Sequence, residues 1–192
     1  MKTRILTIAF LLVFSIGMAQ ETWVLDKSHT NIEFNVTHLV ISEVNGNFHE
    51  FDGKVVNSTP DFDGAEIEFT ANIASIDTDN EQRDNHLKSE DFFNAESYPK
   101  LKFEGVLVRE QSDYKLRGAM TIRGVTNPIV FDVKYNGTIT DPWGNQKAGF
   151  KIRGILNRFD YGLKWNTMME AGGAVVGEDV EIICNVELQK KA

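Results

Sequence analysis

Apolar and polar residues alternate with a period of two along most of this chain. Ile32, Phe34 and Val36 are separated by polar residues, and the same pattern recurs from Val180 to Leu188. Because successive side chains of a strand point to opposite faces, each such run predicts a strand with one buried face. The other predicted strands lie at 23–25, 44–48, 51–56, 65–69, 101–107, 114–123, 129–139 and 148–153. The pattern therefore predicts an all-β fold.

Short turn-forming segments join many of the predicted strands. Gln111–Asp113, Gly124–Pro128 and Asp141–Gly144 carry the residue types that tight turns require. Roughly eight strands joined by tight turns fit an antiparallel barrel or a sandwich. Since no linker or repeat interrupts the pattern, we expect a single domain.

The N-terminus has the composition of an export signal. Lys2 and Arg4 precede an apolar run, Ile5–Ile16, that is too short to span a bilayer, and small residues follow up to Ala19. We therefore expect residues 1–19 to be a signal peptide and residues 20–192 to be the exported domain. The sequence does not distinguish a periplasmic from a secreted product. No later run approaches the length of a membrane span.

The charge balance and the single cysteine restrict the partners and the chemistry. The formal net charge is −8, and removal of Lys2 and Arg4 would make it more negative. An acidic chain repels phosphate backbones at long range, so nucleic acid is not an expected partner. Cys184 lies on the apolar face of its predicted strand, which indicates a buried, inert thiol.

One segment, Ser75–Phe103, breaks the alternation and reads as a helical insertion between two strands. Thr78 and Glu81 have capping-box spacing, which predicts a helix over 81–87. Asp84 and Lys88 have the spacing of a helix ion pair. Pro99 then favours an extended chain before the next strand.

Neither a catalytic group nor a metal site is expected. Asp26, Ser28 and His29 are too close in sequence to converge if they lie on a strand, and no nucleophile-elbow motif is present. The histidines form no His-x-His or His-Glu-x-x-His pattern. No cofactor motif is present either.

The strongest compositional signal is aromatic. Phe34, Phe48, Phe103, Phe131, Phe150 and Trp165 come from well-separated segments of the chain. Met168 adds an adaptable apolar side chain near Trp165. An eight-stranded barrel either fills with such side chains or holds one small ligand, and the sequence leaves both alternatives open.

An ordered set of motifs resembles the YceI family. The set comprises Trp23-Val-Leu-Asp26, Ser28-His29-Thr30, Phe34-x-Val-x-His38-Leu39, Val44-x-Gly46-x-Phe48, Ser75-Ile-Asp-Thr78, Arg83-Asp-x-His-Leu87, Asp91-Phe-Phe93, Tyr98-Pro99, Phe103, Gly118-x-x-Thr-Ile-Arg-Gly-Val-Thr126, Ala148-Gly-Phe150, Asn157-Arg-Phe-Asp-Tyr-Gly162 and Val176-Gly177. The motifs extend across nearly all of the chain after residue 19. One departure is Thr30, where the family usually has serine.

This resemblance implies a lipocalin-like, antiparallel eight-stranded barrel with a short helical insertion. It also implies an exported protein that holds a polyisoprenoid lipid, of the quinone or polyprenyl type, for transport or storage. By this analogy the tail would lie along six residues, Phe34, Phe48, Phe103, Met120, Phe131 and Phe150. A homodimer remains open.

The resemblance places the helical insertion near the mouth of the barrel. Arg83 and His86 are candidates for contact with a lipid head group, and Phe92 is expected to pack the insertion onto the rim. The alternative hypothesis is an enzyme acting on an isoprenoid or another small molecule through His38, His86 and nearby carboxylates inside the cavity.

Overall fold

Strands dominate the computed structural model, which describes residues 20–167 and 175–191. The predicted signal peptide and Met168 lie outside these residues. Within them the strands are β1 (Glu21–Leu25), β2 (Asn31–His38), β3 (Ser42–Phe48), β4 (Phe51–Asn57), β5 (Glu66–Asn72), β6 (Ile76–Asp77), β7 (Lys100–Glu110), β8 (Asp113–Ile122), β9 (Val125–Thr140), β10 (Gln146–Asn157) and β11 (Val176–Lys190). One α-helix, α1 (Glu81–Lys88), and two 3-10 turns, Ile73–Ser75 and Arg158–Tyr161, complete the described elements.

The strands form a closed antiparallel barrel. Each of the pairs β1/β2, β3/β4 and β5/β6 acts as one interrupted strand, because β1 pairs with β4, β2 with β3, β4 with β5 and β3 with β6. Each later strand pairs with its neighbour in sequence. β11 closes the ring by pairing with β2 near its start and with β1 near its end. The predicted eight-stranded barrel with a helical insertion is confirmed.

Alternation places one set of side chains inside the barrel. In β8, for example, Tyr114, Leu116, Met120 and Ile122 are buried. Cys184 is buried as predicted, and burial raises the pKa of its thiol to about 12, so the thiolate that would act as a nucleophile is suppressed.

The predicted turn Gly124–Pro128 was too long. The chain reverses at Arg123 and Gly124, both with positive φ, and β9 begins at Val125. Pro128 is tolerated within β9 because this part of the strand pairs with β8 but not with β10.

Helix α1 begins at the predicted residue, Glu81, but its cap differs from the predicted one. Asn80, not Thr78, caps it by accepting a hydrogen bond from the Arg83 backbone N–H. Thr78 is buried instead, and both its backbone N–H and its hydroxyl donate to Asp84. Asp84 therefore points inward, so the predicted surface pair with Lys88 was wrong.

Phe92 is buried beneath the insertion, and Leu87 and Phe93 pack partly against the core. The insertion is thus a flap attached to one end of the barrel, here called the helix end, which also carries the β2–β3 and β8–β9 turns. No helix in the described part of the chain is long and apolar enough to cross a bilayer.

Candidate ligand cavity and rim pocket

An apolar cavity of about 140 Å³ occupies the barrel interior. Only apolar atoms of the described residues face it. All six residues predicted to lie along a ligand tail line this cavity, namely Phe34, Phe48, Phe103, Met120, Phe131 and Phe150. The alternation in the sequence therefore identified the inward face correctly.

Glycines on neighbouring strands make room for the large rings at the barrel wall. A Cβ atom on Gly46 would lie 2.3 Å from the Phe34 ring, and one on Gly118 would lie 2.6 Å from the Phe103 ring. Since real Cβ atoms do not approach so closely, the rings lie where only glycine leaves space. Glycine within a strand marks such close approaches, and this is a signal that the sequence analysis did not use.

The end of the barrel opposite α1 is closed by an aromatic plug made of Trp23, Phe62, Tyr135 and Phe150. The Phe62 ring centroid lies 5.1 Å from that of Trp23, 5.6 Å from that of Tyr135 and 5.2 Å from that of Phe150. Phe62 is 1% exposed although it belongs to the β4–β5 connection. Sequence analysis missed Phe62, whose only signal was a lone aromatic residue in a polar turn segment.

A second pocket, of about 370 Å³, lies at the helix end and is here called the rim pocket. Its lining includes six predicted site residues, Phe34, His38, Arg83, His86, Phe92 and Trp165. Phe34 lines both this pocket and the barrel cavity, so its ring stands between the two spaces. The predicted residues thus divide into a lumen group and a rim group, apart from Met168.

Three rings form one wall of the rim pocket. The His86 ring makes edge-on contacts with Phe92 and Trp165, with centroids 5.0 and 4.9 Å apart, and Phe92 lies 5.3 Å from Trp165. Asp91 Oδ2 lies 3.1 Å from His86 Nε2 and holds the imidazole in place. His86 is therefore integrated into an apolar cluster while one nitrogen is bound to a carboxylate.

Arg83 supplies a cationic group to the rim pocket. Its Nε donates to Thr78 Oγ1 at 2.7 Å and its Nη2 donates to the Thr78 carbonyl at 2.5 Å. The half-buried guanidinium therefore folds back over the N-terminal end of α1.

Arg158 anchors the segment that carries Trp165. Its Nε donates to the Gly177 carbonyl at 2.7 Å, Nη2 to the Val176 carbonyl at 3.2 Å, and Nη1 to the carbonyls of Leu163 and Trp165. Burial lowers the pKa of this guanidinium. Because the side chain is 3% exposed, these carbonyls replace its hydration, and the hydrogen bonds tie the chain around Trp165 to β11.

A polar cluster on the outside of the barrel gathers Asp26, Ser28 and His29. The prediction that these side chains cannot converge was wrong, because they occupy the turn between β1 and β2. Ser28 Oγ donates to Asp26 at 2.6 Å, and His29 Nδ1 lies 3.1 Å from both Ser28 Oγ and Asp26 Oδ2. A triad needs the two ring nitrogens to face different partners, so this arrangement does not match that of a serine hydrolase.

Asp26, His29 and Glu187 also bring three potential metal-ligand atoms within 4.8 Å of one another. Lys147 occupies the same space, because its Nζ pairs with both Asp26 and Glu187. The ammonium group already neutralises the carboxylates that a cation would need. The cluster therefore serves to fasten β10 and β11 to the turn after β1.

Comparison with known proteins gives consistent matches. Residues 23–188 match the YceI-like domain family. A UPF0312 protein of Staphylococcus aureus strain N315 is 40% identical over 163 residues, covering 84% of this chain and 94% of that protein. The structure of the Campylobacter jejuni YCEI protein is 31% identical, with a TM-score of 0.68 over 88% of this chain and 97% of that chain.

A more distant structure shares the fold. A polyisoprenoid binding domain from Saccharophagus degradans, implicated in plant cell wall breakdown, has a TM-score of 0.65 at 12% identity and covers 88% of this chain and 98% of that chain.

Proposed function

Since this chain belongs to the YceI-like domain family, we propose that it is an exported protein that binds a polyisoprenoid lipid inside its barrel, for transport or storage. The observation that carries the proposal is the apolar cavity, which meets a partly polar pocket at Phe34. The polyisoprenoid binding domain of Saccharophagus degradans, which has the same fold, supports this choice of ligand.

The cavity chemistry favours a hydrocarbon ligand. Transfer of apolar surface from water into such a cavity gains about 25 cal/mol per Å², so binding requires no charged partner in the interior. Branched isoprenoid chains suit this wall, because rings packed closely over strand glycines present only apolar surface to the cavity.

The cavity volume sets how a longer tail would be held. A dry apolar cavity of about 150 Å³ holds one benzene-sized molecule. The cavity of about 140 Å³ thus has room for roughly one isoprene unit. A longer tail requires the lining side chains to shift and the chain to pass Phe34 into the rim pocket.

The rim pocket suits a polar head group on such a tail. Arg83 and His38 contribute hydrogen-bonding groups, while Phe92 and Trp165 contribute apolar surface. We expect a quinone ring or a polyprenyl head group to lie there, in contact with Arg83 and the aromatic wall.

Binding is favoured over catalysis because the polar groups lie at the rim. The enzyme hypothesis required a polar cluster inside the cavity, and only apolar atoms of the described residues face it. His86, which that hypothesis placed at the centre of the cluster, is held by Asp91 and packed against the rings of Phe92 and Trp165.

The test is to purify the protein from an exporting host without detergent, extract it with organic solvent and identify the extract by mass spectrometry. We expect a polyisoprenoid compound in the extract. The stripped protein should then bind farnesol and geranylgeraniol in calorimetric titrations, with geranylgeraniol binding more tightly. Failure to recover any lipid, together with failure to bind either alcohol, would overturn the proposal.

Export is tested by the same preparation. N-terminal sequencing of protein recovered outside the cytoplasm should begin at Gln20. Intact Met1 on protein that stays in the cytoplasm would contradict this part of the proposal.

A further inference from the structure

The β2–β3 turn at the helix end exposes an apolar tip formed by Leu39, Val40 and Ile41. Val40 is 66% exposed and Ile41 is 87% exposed. Polar residues normally occupy such a turn, because an exposed aliphatic side chain gains nothing from the fold.

The tip has apolar side chains, and its backbone is also strained. Leu39 and Val40 have φ values of 51° and 65°, and the Ile41 N–H donates to the His38 carbonyl at 3.2 Å, which closes a two-residue turn. Turns with positive φ at both central positions favour Asn-Gly, and a β-branched residue in this region is an outlier. The turn requires this conformation but not aliphatic residues, so their presence at strained positions indicates a function for these side chains.

The tip lies beside the opening of the proposed site. His38 and Thr37, which lead into it, line the rim pocket, and the Leu39 N–H donates to the Val175 carbonyl, another residue of that pocket. Two strands and the segment before β11 thus hold the tip next to the mouth. With the opposite end plugged, the helix end is where a ligand exchanges with its surroundings.

We propose that this tip docks the mouth of the barrel onto a lipid bilayer by inserting Val40 and Ile41 among the acyl chains. This inference rests on the proposed function, because a bilayer is the source and destination of a polyisoprenoid. Docking at the rim lets the tail pass from membrane to cavity with little exposure to water.

The size of the tip favours a bilayer over a protein partner. A stable protein interface buries about 800 Å² on each side, far more than three residues provide. A bilayer needs no complementary surface, and aliphatic side chains insert below its head groups. The net charge of −8 disfavours attraction to anionic head groups, so binding should rest on the apolar contact and change little with salt.

The experiment compares two double variants of the exported protein by cosedimentation with phosphatidylcholine vesicles. Val40→Gly with Ile41→Thr removes the apolar tip and relieves strain at Val40, so the variant should unfold at the same or a higher temperature. The matched control, Ile139→Thr with Trp143→Ser, removes residues of similar exposure, 66% and 84%, from the plugged end.

We expect the tip variant to lose vesicle affinity by about tenfold or more, while the control retains it. Both variants should bind farnesol in solution as the wild type does. Equal vesicle binding by wild type and tip variant, or an equal loss in the control, would overturn the docking proposal. So would sedimentation showing that the tip variant abolishes self-association, because the occupant would then be a second copy of the chain.

The two proposals fail separately in this design. Absence of farnesol binding by the wild type would count against the proposed function, whereas the vesicle assay alone decides whether the tip docks.

Discussion

Arg158 ties the chain around Trp165 to the start of β11. Its guanidinium donates to the backbone carbonyls of Leu163 and Trp165 and to those of Val176 and Gly177 in β11. Arg158→Met removes all these donors and leaves buried carbonyls without partners. We therefore expect the free energy of unfolding to fall by about 3 kcal/mol or more, measured by urea denaturation.

Arg153→Met provides the control, since it makes the same substitution on an exposed arginine. It should change the free energy of unfolding by no more than about 0.5 kcal/mol. Equal effects of the two substitutions would contradict a special role for Arg158.

Asp26 should make stability depend on pH. Hydrogen bonds from Lys147, and then from Ser28, lower the pKa of this carboxyl below its ordinary value of 3.8. The stability it contributes is complete above that ordinary value and is lost as the pH falls through the folded pKa. We expect Asp26→Asn to lower the free energy of unfolding by about 2 kcal/mol at neutral pH.

That difference between wild type and Asp26→Asn should shrink when urea denaturation is repeated below pH 4. Asp52→Asn is the control, because Asp52 is exposed and its nearest cationic partner is distant, with 3.8 Å between Asp52 Oδ1 and Lys27 Nζ. A difference for Asp26→Asn that stays constant with pH would show that the carboxylate charge is not its cause.

At the scale of the strand, the glycines beneath the aromatic rings make a testable contribution. A Cβ atom on Gly154 of β10 would lie 2.4 Å from the Phe131 ring, whereas one on Gly149 of the same strand would meet Asn136 at an ordinary 3.6 Å. Gly154→Ala should therefore push Phe131 into the cavity, cost about 2 kcal/mol in unfolding free energy and weaken farnesol binding.

Gly149→Ala should leave stability within about 1 kcal/mol of wild type, because its methyl group meets no close neighbour. Similar urea midpoints for the two variants would mean that the wall accommodates a methyl group at either position.

The insertion shows which elements local sequence predicts well. The helix over 81–87 was predicted almost to its observed end at Lys88, since its boundaries depend on neighbouring residues. The capping residue was not predicted, because both Thr78 and Asn80 could cap the helix. Asn80 does so because Thr78 is buried and bonded to Asp84. Local spacing does not reveal which of two capping residues the fold will bury.

At the scale of the molecule, a larger side chain facing the lumen should displace ligand without disrupting the barrel. Ile182 lines the cavity, whereas Ile183, the next residue of β11, points outward by strand alternation. Ile182→Trp should weaken farnesol binding by about tenfold in calorimetric titrations, because it fills the space the tail would occupy. Ile183→Trp should leave binding unchanged, and equal affinities for the two variants would place the tail elsewhere.

Alternation predicted the strands and their inward residues because a period of two is a local property of the chain. The plug and the rim were not predictable in the same way. Phe62 enters the barrel from a turn, and Trp165 meets His86 across about eighty positions of sequence. Such contacts depend on how the closed ring positions its loops, which no local pattern encodes.

The plug at Phe62 also constrains kinetics. A tube with one opening admits and releases its content by the same route, so both passages cross the same barrier at the rim. A substitution that lowers only this barrier, without changing a contact to the bound ligand, speeds entry and departure by the same factor and leaves the equilibrium constant unchanged. Changes in the lumen, in contrast, should alter residence time while the rate of capture stays nearly constant. Measured association and dissociation rates would thus distinguish the effect of a rim substitution from that of a lumen substitution.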